Sequence, residues 1–171
     1  MGIASRLAVW SLSGCLVACA TSAPVPAPKP VATIAPEQRV AAVRAAAGTD
    51  AKEFAVQPLR DPMVEDLRQT AARLEKQKQY ADAASALDQA LAITPDDPAV
   101  LQERAEAALL LSHFDQTETL ARRAYGLGAK VGPLCRRHWA AIEQALQARG
   151  EESGEARKQI TACKVATPER F

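Results

Sequence analysis

A pattern of apolar and small residues that returns after 34 positions is the strongest constraint on how this 171-residue chain can fold. Counted from Val64, such residues occur at 67, 71 and 74, and counted from Pro98 they occur at 101, 105 and 108. Spacings of three and four place each set on one stripe of an α-helix. The pattern predicts similar helical units, none of which buries its apolar face without a neighbour.

A second stripe follows the first one in the same unit. Ala83, Leu87 and Ala90 share one helical face, and Pro95 marks the turn after it. The run from Tyr80 to Pro98 resembles the second helix and exit turn of a tetratricopeptide repeat, a helical hairpin of this period. Small residues such as Ala71 and Ala83 would let the paired helices approach closely.

The resemblance implies an all-α fold, a short α-solenoid of about three helical hairpins within residues 62–168. The hairpins would occupy about 64–97, 98–131 and 133–168. The third departs most from the family pattern, because Glu143 stands where a small residue is usual and the turn after Gly150 is one residue longer. An aromatic content of 4% fits closely packed helices better than a β-sandwich.

The N-terminal residues 1–18 have the order of a secretory signal peptide, with Arg6 ahead of a short apolar stretch. Leu16-Val17-Ala18-Cys19 resembles the lipobox of bacterial lipoproteins, which implies acylation of Cys19. Cys15 also fits such a motif, and an ordinary secretory signal is the remaining alternative. Ala20 after the cysteine implies, for a Gram-negative type of lipoprotein, delivery to the outer membrane facing the periplasm.

Residues 19–35 contain alternating prolines, which predict a semi-rigid extended spacer. Residues 36–61 should form an N-terminal helix and an extended connector. Val40 and Val43 recur at helical spacing before Gly48. The connector is expected to pack its apolar side chains onto the repeats; these are Phe54, Val56 and Leu59.

The two remaining cysteines fall at the ends of the third hairpin. Cys135 opens its first helix and Cys163 closes its second, and antiparallel helices bring such ends together. An exported compartment is oxidising, which favours a disulfide over two free thiols. With His138 the pair could instead form part of a zinc site, although a fourth ligand is missing. We expect no metal and no cofactor.

The exposed positions of the first helices would line the concave groove that proteins of this family use to bind protein or peptide. They are Glu65, Arg68, Glu75, Lys76, Gln102, Glu103, Glu106, Leu110, Arg137, Gln144 and Gln147. The two-carboxylate clamp of chaperone-binding members is not implied, because Ala72 replaces an Asn of the clamp and Gln102 a basic residue.

The net charge of +1 conceals an uneven distribution. Residues 61–118 carry twelve acids and five bases, whereas residues 119–171 carry five acids and ten bases. Solvated faces are the ordinary interpretation. The alternative is a basic end that meets an acidic partner, or a second copy head to tail; it would be formed by Arg122, Arg123, Arg136 and Arg137. The overall balance does not predict nucleic-acid binding.

Motifs for catalysis are missing from the sequence: it has no Gly-rich phosphate loop, no G-x-S-x-G and no recognisable pair of catalytic carboxylates. The sequence therefore predicts a non-enzymatic, lipid-anchored periplasmic adaptor. It would bind a protein or peptide in an envelope assembly such as pilus, outer-membrane or cell-wall machinery. A metal-binding or enzyme-accessory module using Cys135, His138 and Cys163, or a purely structural subunit, is the alternative.

Overall fold

The computed structural model describes residues 34–48 and 61–164, which belong to one compact unit, Thr33–Phe171. The predicted signal peptide, the Cys19 and Cys15 lipidation motifs, most of the proline spacer and the connector with Phe54, Val56 and Leu59 lie outside these residues. The described ranges contain seven helices and no strand. They are α1 Pro36–Ala45, α2 Pro62–Lys76, α3 Tyr80–Ile93, α4 Pro98–Leu110, α5 Phe114–Leu127, α6 Pro133–Arg149 and α7 Gly154–Ala162.

Proline opens the first helix of every hairpin, where its missing N–H is not needed for the helical ladder. In two of the three, an aspartate caps the helix just before the proline. Asp61 accepts a hydrogen bond from the Met63 N–H at 2.8 Å, and Asp97 accepts one from the Ala99 N–H at 2.8 Å. Pairs of Asp and Pro thus fix where α2 and α4 begin.

The turn after the first helix of each hairpin contains a residue with a left-handed backbone. These residues are Lys78 with φ 60°, Ser112 with φ 60° and Gly150 with φ 74°. In each case the next N–H donates to the carbonyl five residues earlier, at 2.9 Å in all three turns. The bond satisfies a carbonyl that the helix end would leave without a partner. The three turns are therefore equivalent, although only the third has glycine at this position.

Successive helices pack in the order of a solenoid. The pairs α2–α3, α4–α5 and α6–α7 form hairpins, and the contacts α3–α4 and α5–α6 stack each hairpin on the next. The contact surfaces are mainly alanine, and Ala90, Ala105 and Ala124 are completely buried. The prediction of an all-α solenoid of about three hairpins is confirmed.

α1 packs mainly against α4 and α6, not against α2, the helix that follows it in sequence. Its Val40 and Val43 are buried in the same apolar cluster as Leu109 and Ile142. We call the surface formed by α2, α4 and α6 the inner face. α1 lies across the half of it that is formed by α4 and α6. Within residues 34–48 and 61–164, no helix is both long and apolar enough to cross a membrane.

Candidate interaction site on the inner face

α1 leaves part of the inner face open. A pocket of about 580 Å³ lies beside α1, between it and α2, α3 and α4. Its floor is made by small and apolar residues: Ala71, Ala72, Ala83, Leu87 and Ala107. Its charged wall contains both signs: Arg44, Arg68, Lys76 and Arg137 against Glu65, Glu75 and Glu103. An apolar floor with a mixed charged wall suits a polypeptide better than a ligand of one strong charge.

Arg68 organises the open pocket by joining two helices. Its Nε donates to Glu103 Oε2 of α4 at 2.9 Å, and its NH1 donates to Glu65 Oε2 at 2.6 Å. The hydrogen bond to Glu103 raises the pKa of the Arg68 guanidinium further above its usual value, so the group is charged at any relevant pH. The side chain is 17% exposed, which holds a fixed positive charge at the pocket wall.

Glu106 is the centre of a buried polar cluster next to this pocket. Its carboxylate accepts hydrogen bonds from Arg44 Nε at 2.8 Å, Arg137 Nε at 3.0 Å and Gln102 Nε2 at 2.9 Å. A buried carboxylate is tolerated only when it is paired and hydrogen-bonded in this way. Arg44 also reaches Glu75 at 2.7 Å and thereby ties α1 to both α4 and α2.

The prediction that the groove positions are exposed is wrong for three of them. Gln102 and Glu106 have no exposed surface, and Leu110 is 6% exposed. Gln102 and Glu106 are held between α4 and α6 by Arg137 and His138, and Leu110 belongs to the apolar cluster that contains Val40 and Val43 of α1. The sequence pattern assigned these positions to an empty groove because it placed neither α1 over Glu106 and Leu110 nor His138 of α6 against Gln102.

The other predicted positions divide between the two halves of the inner face. The pocket wall contains Glu65, Arg68, Glu75, Lys76, Glu103 and Arg137. Gln144 is half-buried, and its main-chain carbonyl accepts a hydrogen bond from Arg39 of α1 at 3.3 Å. Gln147 is exposed and donates to Glu143 at 3.0 Å. The structure therefore brings six of the eleven positions together at one pocket.

Sequence reasoning missed the contribution of α1 to this site. Arg44 and Ala47 line the pocket. The pair of valines three residues apart, flanked by Arg39 and Arg44, was a signal for a helix with a narrow apolar stripe to bury. Nothing in that spacing says which hairpin receives it.

His138 is completely buried, and its Nδ1 lies 2.7 Å from the side-chain oxygen of Gln102. Since Gln102 uses its amide nitrogen for Glu106, His138 carries its proton on Nδ1 and donates to Gln102. Burial, together with the positive charges of Arg137 and Lys130, lowers the pKa of His138 to about 3. His138 is therefore neutral at physiological pH and serves as a structural hydrogen-bond donor.

Cys135 and Cys163 are joined as a disulfide, with their Cα atoms 5.7 Å apart. The sulfur atoms are thus not available as thiolates. Nδ1 of His138 is already hydrogen-bonded to Gln102. No cluster of metal-binding side chains forms among the residues that the structure describes. The geometry therefore does not favour the alternative of a metal site at these three residues.

The predicted basic end is not a free positive patch. Arg136 is 7% exposed and donates to the main-chain carbonyls of Ala46 and Ala47. Arg137 pairs with Glu106. Arg123 pairs with Asp96 at 2.9 Å, and Arg122 pairs with Glu118 and lies over the Trp139 ring. All four arginines have partners within the fold: carboxylates for Arg122, Arg123 and Arg137, and main-chain carbonyls for Arg136.

Comparison with known proteins agrees with this architecture. Residues 64–107 match the tetratricopeptide repeat family, which confirms the repeat inferred from the sequence. The structure is also similar to the globular C-terminal domain of LpoP from P. aeruginosa, with 27% identity and a TM-score of 0.57. That similarity covers 60% of this chain and 99% of the LpoP domain. The chain has no significant sequence match among curated proteins.

Proposed function

We propose that this chain is a protein-interaction scaffold of the bacterial cell envelope, and that it holds a polypeptide partner at the open pocket of the inner face. The pocket carries the proposal, because three different hairpins contribute to one surface with a small-residue floor and fixed charges. Stacked hairpins expose such extended surfaces for binding. The similarity to the LpoP domain, together with the tetratricopeptide match, supports binding as the role of the fold.

We further propose that Cys19 is acylated and anchors the chain at the outer membrane, facing the periplasm. The lipobox-like Leu16-Val17-Ala18-Cys19 supports this, and the alternating prolines after it would hold the repeats away from the lipid surface. Several acyl chains give stable membrane attachment, whereas a single chain gives only marginal binding. Pilus, outer-membrane or cell-wall machinery remains the proposed setting.

Site-specific photo-crosslinking in intact cells tests the binding proposal. A photoreactive amino acid replaces Ala72, which is exposed and lines the pocket. The matched control replaces Gln89, which is exposed on α3 and does not line the pocket. We expect a discrete protein adduct from position 72 that is missing from position 89. The same adducts from both positions would contradict a pocket-specific partner.

Metabolic labelling with a palmitate analogue tests the anchor. Cys19→Ser should abolish the label and release the protein from the outer-membrane fraction. Cys15→Ser is the matched control and should retain both. If Cys15→Ser abolishes the label and Cys19→Ser does not, the acylated residue is the other cysteine.

A further inference from the structure

The covered half of the inner face has the features of a groove that receives a helix. α1 lays one stripe against α4 and α6, and its Val40 and Val43 are 2% and 0% exposed. They join a cluster with Leu109 and Ala141 of the hairpins. Amphipathic helices bind proteins in this way, with apolar anchors at helical spacing.

Polar groups at both ends of this strip fix the direction and register of the helix. Arg39 NH1 donates to the main-chain carbonyl of Gln144 at 3.3 Å, one residue before Val40. Arg44 Nε donates to buried Glu106 at 2.8 Å, one residue after Val43. The groove therefore recognises two apolar residues three apart with a basic residue on each flank.

The groove also binds the main-chain carbonyls at the C-terminal end of the helix, whatever the side chains there. Arg136 of α6 donates to the carbonyls of Ala46 and Ala47, at 3.0 and 3.1 Å from its Nε. Carbonyls at a helix C-terminus lack partners within the helix, and every helix has them. Arg136 is 7% exposed, so this donor is held in place by the fold. It would serve any helix of suitable length seated in the groove.

α1 has few stabilising features of its own. It has ten residues and no side-chain hydrogen bond at its N-cap. Isolated helices of this length are marginal in water. Without α1, Glu106 would still accept hydrogen bonds from Arg137 and Gln102. The buried carboxylate of the groove would thus stay paired when α1 leaves.

We propose that the covered half of the inner face is a second binding site, for a short amphipathic helix of a partner protein, and that α1 occupies it in cis. The partner helix carries two aliphatic residues three positions apart, with a basic residue on each flank, as in the segment Arg39-Val40-Ala41-Ala42-Val43-Arg44. Partner binding requires displacement of α1. The apparent affinity is therefore the intrinsic affinity of the free groove multiplied by the fraction of chains in which the groove is free. The inference rests on the proposed scaffold function, but it concerns α4 and α6, whereas the open pocket is probed at Ala72.

The test uses a synthetic labelled peptide with the sequence of residues 34–48 and measures its binding by fluorescence anisotropy. Val43→Asp in the whole protein should expel α1, because a carboxylate would otherwise be buried without a partner in the apolar cluster. Ala42→Asp is the matched control, with the same new charge at an exposed neighbouring position. The peptide should bind the Val43→Asp protein at least about tenfold more tightly than the wild type or the Ala42→Asp protein. A peptide that itself carries Val43→Asp should bind none of them.

Circular dichroism of the Val43→Asp protein accompanies the binding measurement. A cooperative helical melt with tight peptide binding supports the proposal. A folded variant that does not bind the peptide would overturn it, and so would equal binding to all three proteins. Loss of the cooperative melt would also overturn it, because α1 would then be an integral part of the fold. In each of these cases, a crosslink from position 72 would still support the open pocket as a binding site.

Discussion

The first and third hairpins have the same architecture but are stabilised in different ways. The first, α2 and α3, follows the repeat pattern and packs through alanines and leucines. The third, α6 and α7, departs from that pattern, and it contains the Cys135–Cys163 disulfide, a buried histidine and a glycine at its turn. Its helices have 17 and 9 residues, against 15 and 14 in the first hairpin. A short final helix buries little apolar surface. The disulfide and the buried histidine therefore stabilise the third hairpin where apolar packing stabilises the first.

Of the features that distinguish the third hairpin from the first, the disulfide should contribute most to the free energy of unfolding. It closes a loop with a sequence separation of 28, which corresponds to about 3.5 kcal/mol in the chain-entropy description. Cys135→Ala with Cys163→Ala should lower the free energy of unfolding by about this amount in urea denaturation. Hydrogen exchange should increase in α6 and α7 much more than in α2 and α3.

Reduction of the wild-type protein provides the control for this experiment. The reduced wild type and the double alanine variant should have similar stability. Mass spectrometry that finds two free thiols in protein purified from cells without reducing agent would contradict the disulfide.

His138 should make the stability depend on pH, and it distinguishes the third hairpin from the first. Its folded-state pKa of about 3 lies below its usual value of 6.5, so the unfolded chain binds the proton more readily. The contribution of neutral His138 to the free energy of unfolding is fully present above pH 6.5 and is lost as the pH falls toward 3. Between pH 7 and 5 the loss attributable to this residue should be about 2 kcal/mol.

NMR titration of the imidazole resonances measures this directly. The His138 ring should remain neutral at pH 5 and titrate near pH 3. His113 is exposed at the N-cap of α5, so His113→Gln is a matched control that should leave the pH dependence of stability in place. Titration of His138 near pH 6.5 would show that its ring is not held in a dry environment.

The three equivalent turns allow a direct exchange between the hairpins. Lys78 and Gly150 both have a positive φ, and an added Cβ at Gly150 would meet no atom within 4 Å. The backbone conformation alone should therefore decide the effect. Lys78→Gly should stabilise the protein by up to about 1 kcal/mol, and Gly150→Lys should destabilise it by a similar amount. Thermal unfolding measures both.

Gly154→Ala is the control for the glycine substitution. Gly154 also has open space around its added Cβ, but its φ is not positive. The alanine variant should therefore keep or slightly increase the stability. Equal losses for the Gly150 and Gly154 variants would mean that space, not backbone conformation, limits these positions.

Much of the fold follows from local sequence because the signals repeat. Asp61 and Asp97 before proline mark helix starts, and alanines at a fixed offset mark the contact surfaces. The final hairpin was also predictable in outline, since Gly150 ends α6 and the two cysteines fall at adjoining helix ends. These features depend on residues close in sequence or on the regular geometry of a hairpin.

The position of α1 was not predictable in this way. Its valines indicate a helix with a narrow apolar stripe, but the contacts between Arg44 and Glu106 and between Arg136 and Ala47 join residues 62 and 89 positions apart. Such contacts are a property of the assembled surface. For this reason the sequence assigned Glu106 and Leu110 to an open groove, and likewise Gln102, which His138 of α6 contacts; the accessible site proved to be smaller and partly built from α1.

The smallest effect on stability is expected at the open pocket, beside the first hairpin, where function should be most affected. Arg68→Gln removes the ion pairs to Glu65 and Glu103, which are partly exposed to solvent. Pairs of this kind contribute about 0.5–1 kcal/mol, so urea denaturation should change only slightly. The crosslink from position 72 should nevertheless weaken severalfold, because the fixed charge at the pocket wall is lost. Arg73→Gln on the same helix is the matched control and should preserve the crosslink, since Arg73 is exposed and does not line the pocket. An unchanged crosslink in Arg68→Gln would mean that the partner does not use this charge.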